Sequence, residues 1–436
     1  INGEKTVIQL ARNNGIDIPS LCYHPSLSTF GACRMCLVEC EGLGIISSCT
    51  LAPRDGMVVR TKTETLRRMK KTTLQLLLAD HDNECTTCPK SGHCRLQELA
   101  RRFAVNRNPY HQLMERKPID ASSPSLVRDS GKCVLCGNCV RACTEFQGIG
   151  VLGFTGRGQT AEVKPAFNHP LAEVDCVNCG QCAAVCPVGA IVSHSYNDEI
   201  WAAINDPDTI VVAQIAPAVR VALGEEFGLK PGTNVMGKMV AAMRKIGFDA
   251  VYDTAFCAEI TTVEEATEII GRIQNGGKLP VFTSCCPAWS VMAKREFPKN
   301  ADCISMALTP MTLTARLIRK QHPNAKIVFV GPCSAKKLEA MRESVRSEVD
   351  FVLTFEEMAG MMSAKQIDYT KLAGEGGDFD VASADGRGFA VAGGVATAVA
   401  NAIHKRYPER EVKVANAEGL EECRKLMKDA VKGKYD

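Results

Sequence analysis

An α+β multidomain protein is predicted by three features of this 436-residue sequence. Cysteine is abundant, at 22 residues, and most of it is bunched into C-x-x-C clusters between residues 22 and 186. Short apolar runs broken by Gly, Pro and Asn fill the front of the chain. From about residue 201 apolar runs alternate with helical stretches, the pattern of buried parallel strands in an α/β layer. The length allows roughly two to four domains with sizeable cores. The net charge of +3 is mild, and no Lys/Arg stripe with interleaved aromatics appears, so no nucleic-acid partner is expected. The longest apolar runs, such as TIVVAQIAPAV, are too short and too broken by Pro to span a bilayer, so no membrane is expected either. No signal peptide is visible, but the first residue is Ile1 rather than Met, which leaves an upstream leader open. A small secreted disulfide scaffold would be far shorter. In a long, enzyme-like chain, C-x-x-C clusters read as metal sites rather than disulfides.

Residues 1–62 form the first expected domain. KTVIQLA, RMCLVEC and GMVVRTK read as short β-like runs. Cys22, Cys33, Cys36 and Cys49 fall at C-x10-C-x2-C-x12-C spacing. An iron–sulfur cluster needs four soft thiolates converging on it. A C-x-x-C loop supplies two from one turn, and distant segments supply the rest. The spacing resembles the 2Fe–2S ferredoxin domain, of β-grasp type, at the front of iron-only hydrogenases and of the large iron–sulfur subunit of respiratory complex I. Cys40 lies off the spacing and reads as a buried apolar residue.

Residues 63–120 read as a small helical domain. TLRRMKKTTLQLLLADH has a basic and an apolar face and is expected to be helical as far as His81. RRMKK reads as solvated surface, with docking of an acidic electron carrier as the sharper alternative. HDNECTTCPKSGHC then gives His81, Cys85, Cys88 and Cys94 at H-x3-C-x2-C-x5-C spacing. The three cysteines need a fourth partner; His93 is the competitor to His81, but it adjoins Cys94 and would have to bend back awkwardly. The run is similar to the His-ligated 4Fe–4S site of the same two families, which implies His81 as a ligand. A neutral imidazole in place of a thiolate makes such a cluster less negative and raises its potential.

Residues 121–200 hold an internal repeat. KCVLCGNCVRAC gives Cys133, Cys136, Cys139 and Cys143; DCVNCGQCAAVCP gives Cys176, Cys179, Cys182 and Cys186, followed by Pro187. Each is the C-x2-C-x2-C-x3-C run of bacterial ferredoxins, whose fourth Cys binds the other cluster. The expected sets are therefore Cys133, Cys136, Cys139, Cys186 and Cys176, Cys179, Cys182, Cys143. The first run carries Thr144 where the pattern has Pro.

Residues 201–436 are the α/β part. TIVVAQIA, LPVFTSC, KIVFVGPC and VDFVLTF read as strands, and VEEATEIIGRIQ, MTLTARLIRKQ and FEEMAGMMSAK as helices. Function should sit at the carboxyl ends of parallel strands. TSCCPAW (283–289) and GPCSAKKLE (331–339) resemble the first two signature loops of iron-only hydrogenases. The family's third loop, with two more cysteines, is missing from this chain, which stops at ANAEGLEECRKLMKDAVKGKYD; a cut short of that loop is the expectation. The resemblance covers essentially the whole chain and points to a divergent subgroup with four accessory Fe–S clusters, one 2Fe–2S and three 4Fe–4S.

That resemblance implies an H-cluster, a 4Fe–4S cube joined to a di-iron unit carrying carbonyl, cyanide and a bridging dithiolate amine. Cys286 and Cys333 match two cube ligands. Lys336 matches the lysine that holds a cyanide, and an ammonium is a suitable donor to an anionic ligand. Pro217 and Ala216, in APAVR, match the loop lining the same pocket. Cys285 matches the thiol that exchanges a proton with the amine. The family's proton chain maps onto Cys285, Glu265, Ser305, Glu268 and Arg272. Positions 265, 268 and 272 share one face of a single expected helix.

Several departures gather near that pocket. Leu308-Thr309-Pro310-Met311 replaces Lys-Ser-Pro-Gln, Gly331 replaces Met, and Cys257 replaces Gly in an expected pocket-forming loop; ADGRGFAVAGGVATAV loses polar residues. They put rate, bias and proton route in doubt. Cys257, Cys303 and Cys423 have no role in the resemblance, although Cys257 could be a second proton-active thiol.

The resemblance implies a hydrogenase that interconverts dihydrogen with protons and electrons. The alternatives are a non-catalytic electron-transfer subunit like that of complex I, which needs neither signature loop, and a hydrogen sensor. Ferredoxin or flavodoxin is the expected electron carrier, with maturation proteins as further partners. No G-x-G-x-x-G follows a strand, so nicotinamide coupling would need another subunit. An anaerobic cytoplasm is the expected location, and homo-oligomerisation stays open.

Overall fold

The computed structural model describes residues 1–110, 118–283, 285–342, 345–378 and 381–435. It divides into two compact units, Ile1–Cys176 with Gly180–His194, and Ser195–Asp436 with Val177–Cys179.

The first unit opens with helix α1 (Val7–Asn13), where a strand was expected. Val7, Ile8 and Ala11 bury one helical face, and the Thr6 hydroxyl accepts the Gln9 N–H at 3.4 Å as N-cap. That period of three to four outweighs the β-propensity of Val and Ile. Strands β1 (Leu37–Cys40), β2 (Gly44–Ser47) and β3 (Val59–Arg60) form an antiparallel sheet in the order β2-β1-β3. Helix α2 (Glu64–Ala79) is capped by Thr63 and ends two residues before His81. Within RRMKK, Arg67, Arg68 and Met69 are exposed, but Lys70 is buried, so the segment is not the wholly solvated face expected. Helix α3 (Arg95–Arg102) follows. Strands β4 (Ile119–Asp120) and β5 (Leu126–Asp129) belong to a second antiparallel sheet. Helix α4 (Asn138–Arg141), the hairpin β6 (Leu152–Thr155) and β7 (Glu162–Pro165), and helix α5 (Gln181–Ala184) carry and separate the two cysteine runs. β8 (Ile191–Ser193) closes the second sheet in the order β4-β5-β8.

The second unit alternates strand and helix. Helix α6 (Asn197–Asn205) leads to β9 (Val211–Ile215), α7 (Val219–Glu226), α8 (Met236–Ile246), β10 (Ala250–Asp253) and the long α9 (Ala255–Gln274). Helices α10 (Pro287–Glu296) and α11 (Pro310–Gln321) precede β11 (Lys326–Val330), α12 (Ala335–Met341), β12 (Phe351–Leu353) and α13 (Phe355–Ala364). The short α14 (Ala384–Arg387) and then α15 (Gly394–Arg406) and α16 (Gly419–Val431) complete it. The sheet is parallel, in the order β10-β9-β11-β12. Every residue of β9 is buried, as a strand covered on both faces requires. LPVF is not a strand: Phe282 makes a single bridge to Ile304, because Pro280 removes a donor just ahead of it. Cys257 lies in the first turn of α9 rather than in a loop, buried and hydrogen-bonded with Thr314.

The ends of β9, β11 and β12 are tied together. Ala216 N donates to Val330 O at 2.9 Å and Gly331 N to Leu353 O at 3.0 Å. The loops that follow therefore start from one rigid edge. A Cβ on Gly331 would lie 2.7 Å from the Phe329 ring and 3.2 Å from Ala216 Cβ. The Phe329 ring thus fills the space beside the residue that replaces the family's Met.

Candidate metal centres and active site

Four groups of ligand-type residues are built by different means. Cys22, Cys33, Cys36 and Cys49 are all buried. They meet at the edge of the first sheet, with Cys36 directly before β1 and Cys49 just after β2. The Cys22 thiol bonds with those of Cys33 and Cys49, and Cys36 bonds with Cys49. Shared protons hold Cys22 and Cys36 below the ordinary thiol range and push Cys33 and Cys49 above it. Leu21 N also points at Cys33 Sγ, 3.4 Å away. Four soft donors converging in a dry site suit a small Fe–S cluster.

His81, Cys85, Cys88 and Cys94 line a single cavity of about 570 Å³. Cys94 is the N-cap of α3, and burial, with Cys88 and Cys85 nearby, raises its thiol. His81 is buried, and that burial pushes its imidazole down toward the neutral form a metal needs. A Cβ at Gly189 would stand 2.5 Å from Cys88 Sγ, so the glycine leaves this cavity its space.

Cys133, Cys136, Cys139 and Cys186 line another cavity, walled by Val134, Val163, Val188 and Ile191. The structure thus brings the fourth cysteine of the second run to the first three of the first run. Burial pushes Cys136 up to about 12 and Cys139 well above the ordinary range. Of the other set, Cys143, Cys176, Cys179 and Cys182 are each half-buried.

In the second unit, Cys286 is the N-cap of α10, with Pro287 at the first helical position. Cys333 follows β11 at the strand end, and burial, with Cys286 nearby, raises its thiol. Cys285 is pushed up to about 12, chiefly by burial and against the pull of Lys336. Lys336 Nζ donates to Cys285 O at 3.1 Å and to Glu339 Oε2 at 2.6 Å. Burial opposes its charge, but Glu339 outweighs that and its pKa is raised. The lysine doublet splits: Lys337 points away to Glu357 Oε1 at 2.6 Å, which fixes α12 against α13. The hydroxyls of Thr309 and Thr312 reach the other Glu339 oxygen. Ala216 and Pro217 sit at the end of β9.

Along α9, Glu265 is 1% exposed and its charge acts on Cys285. Ser305 Oγ donates to Glu268 Oε2 at 2.8 Å. Arg272 Nη2 donates to Glu268 Oε1 at 2.5 Å, and its Nη1 to Asp302 O at 2.7 Å. Sequence reasoning missed Glu339 and Thr309. The spacing of Lys336 and Glu339 on one helix was the signal for the first; nothing local marked the second.

The buried thiol sets and the α/β sheet define an iron–sulfur oxidoreductase. Residues 209–436 match the C-terminal domain of the iron only hydrogenase large subunit. Residues 2–64 match a 2Fe-2S iron-sulfur cluster binding domain, 70–109 the NADH-ubiquinone oxidoreductase-G iron-sulfur binding region, and 132–190 a 4Fe-4S dicluster domain. The NADP-reducing hydrogenase subunit HndD of Solidesulfovibrio fructosivorans is 40% identical over 419 residues, 89% of this chain and 71% of its own. Iron hydrogenase 1 of Clostridium pasteurianum is 31% identical over 408 residues, 90% of this chain and 71% of its own. The NADH-ubiquinone oxidoreductase 75 kDa subunit of Reclinomonas americana is 33% identical over 196 residues, 44% of this chain and 27% of its own. The chain belongs to the iron-only hydrogenase family. No described helix is long and apolar enough to cross a membrane.

Proposed function

We propose that this protein interconverts dihydrogen with protons and electrons. The observation that carries the reading is the polar line through the second unit: Arg272, Glu268 and Ser305 joined by hydrogen bonds, and Glu265 acting on Cys285 beyond them. Such a line of titratable groups is what proton delivery through a dry core needs. Cys286 and Cys333 would supply two of the ligands of an H-cluster cube, and Ala216 and Pro217 would line the di-iron pocket. The H-cluster, when bound, supplies the metal chemistry that makes or splits the H–H bond. Lys336, held by Glu339, would offer its ammonium to an anionic ligand of that group. Cys285 holds a proton at its thiol, and Ser305 and Glu268 pass one along hydroxyl and carboxylate oxygens.

In the first unit, Cys22, Cys33, Cys36 and Cys49 would hold a 2Fe–2S centre. His81, Cys85, Cys88 and Cys94 would hold a 4Fe–4S centre. The two ferredoxin sets, Cys133, Cys136, Cys139, Cys186 and Cys176, Cys179, Cys182, Cys143, would hold two more. The domain division 1–62, 63–120, 121–200 and 201–436 follows these holders. An anaerobic cytoplasm suits such centres.

Ferredoxin or flavodoxin is one electron carrier consistent with this layout. A second reading, electron exchange with a nicotinamide-binding partner subunit, is favoured by the likeness to a subunit of an NADP-reducing hydrogenase. Reduction of each carrier under dihydrogen, with and without added partner subunits, separates the two.

The proton assignment is tested with Cys285→Ala. Hydrogen turnover should fall at least about a hundredfold, the scale of a lost proton-transfer group. Dithionite-reduced signals of the accessory centres should persist. Full turnover in the variant would refute the assignment.

A further inference from the structure

Helix α2 buries one stripe of side chains. Leu66, Lys70 and Leu74 are each four residues apart and share that stripe. Both leucines are fully buried, and Lys70 is only 3% exposed. A lysine therefore occupies a position between two leucines where an apolar side chain would complete the packing. Burying an ammonium without a partner costs free energy. Among the described residues Lys70 makes no hydrogen bond and no ion pair. Arg102, the cation that acts on it, pairs with Asp17.

Helix α2 packs on β1, the strand that begins directly after Cys36. Burial holds the Lys70 ammonium down to about 8; Cys36 favours its charge and Arg102 opposes it. The buried lysine thus lies on the helix that covers the strand leaving Cys36, within electrostatic range of that thiol. A centre held by four thiolates is negative, and each added electron makes it more so. A fixed cation in a low-dielectric surround stabilises the reduced form more than the oxidised one.

We propose that Lys70 is the buried counter-charge of the centre held by Cys22, Cys33, Cys36 and Cys49, and that it raises that centre's reduction potential. The inference rests on the reading of that site as a 2Fe–2S centre. Lys70 is a positioning residue: it acts through the charge of the centre and meets no substrate. Its burial also removes it from any surface that RRMKK would offer to a docking carrier.

The test uses the full chain, reconstituted without oxygen, and a redox titration of the 2Fe–2S signal by electron paramagnetic resonance. Lys70→Met keeps the stem and removes the charge. It should disfavour the reduced form at least tenfold, about 59 mV downward for one electron. The 4Fe–4S midpoints should stay put, and thermal stability should hold or rise as the apolar stripe closes. Lys70→Arg should keep the parent's midpoint. If Lys70→Met fails to load, Lys70→Gln is read in its place with the same expectation. A full 2Fe–2S signal with an unshifted midpoint in the neutral variant would overturn the proposal. Absence of any 2Fe–2S signal in the parent protein would overturn the site reading and the proposal with it.

Discussion

The two units build their cores from different material. The main core of the second unit is aliphatic and aromatic, running from Ile200 through Val212 and Met243 to Leu353 and Tyr369, with no cysteine in it. The core of the first unit includes Cys22, Cys33, Cys94, Cys136, Cys139 and Cys186 among its leucines and valines. One unit is a packed scaffold that presents functional groups at strand ends. The other has an interior that consists in part of cysteine thiols. Metal binding and folding should therefore be coupled in the first unit and separable in the second.

Iron withdrawal should show the largest effect. Chelation under reducing conditions should unfold the first unit and leave the parallel sheet of the second intact. Hydrogen exchange resolved by peptide should show protection lost around Cys22–Cys49 and Cys133–Cys186 and kept in β9 and β11. Uniform loss, or none, would break the comparison.

Next in size is an effect confined to the second unit. Glu268→Gln keeps the shape of the side chain but removes its charge and its proton uptake, and so weakens the Arg272 pair. Hydrogen turnover should fall by about tenfold or more, with circular dichroism and iron content unchanged. An unchanged rate would take Glu268 out of the proton line. The smallest effect is on packing. Gly331→Met restores the residue the family has there, but the Phe329 ring already occupies that space. Overpacking of this kind costs about 1–3 kcal/mol, read as a lower unfolding midpoint in urea. A neutral result would mean that Phe329 swings aside freely.

The same contrast explains what was legible in the sequence. In the first unit the candidate ligands are set by local spacing, so the grouping of Cys133, Cys136 and Cys139 with Cys186 around one cavity could be read from one run and its repeat. The parallel strands were legible for the same reason, as TIVVAQIA and KIVFVGPC are continuous apolar runs that both faces of a sheet demand. Elsewhere the deciding interactions are distant. KTVIQLA became α1 through a helical burial period that β-propensity masked. LPVF failed as a strand because Pro280 breaks its ladder. Glu339 meets Thr309 and Lys336 only once α11 and α12 pack, and Lys70 turns inward only because α2 lies on β1. Spacing cannot report contacts of that range.

The central proposal is that the second unit supplies the pocket and two thiolates of an H-cluster that exchanges electrons with the centres of the first. The most direct measurement is an infrared spectrum of the protein, loaded with iron and sulfide and treated with a synthetic di-iron precursor, recorded before and after dihydrogen. The account predicts sharp carbonyl and cyanide bands of a protein-bound site that shift under dihydrogen as the accessory centres become reduced. Fully loaded accessory centres with no bound bands and no reduction by dihydrogen would contradict it, and would leave an iron–sulfur electron conduit.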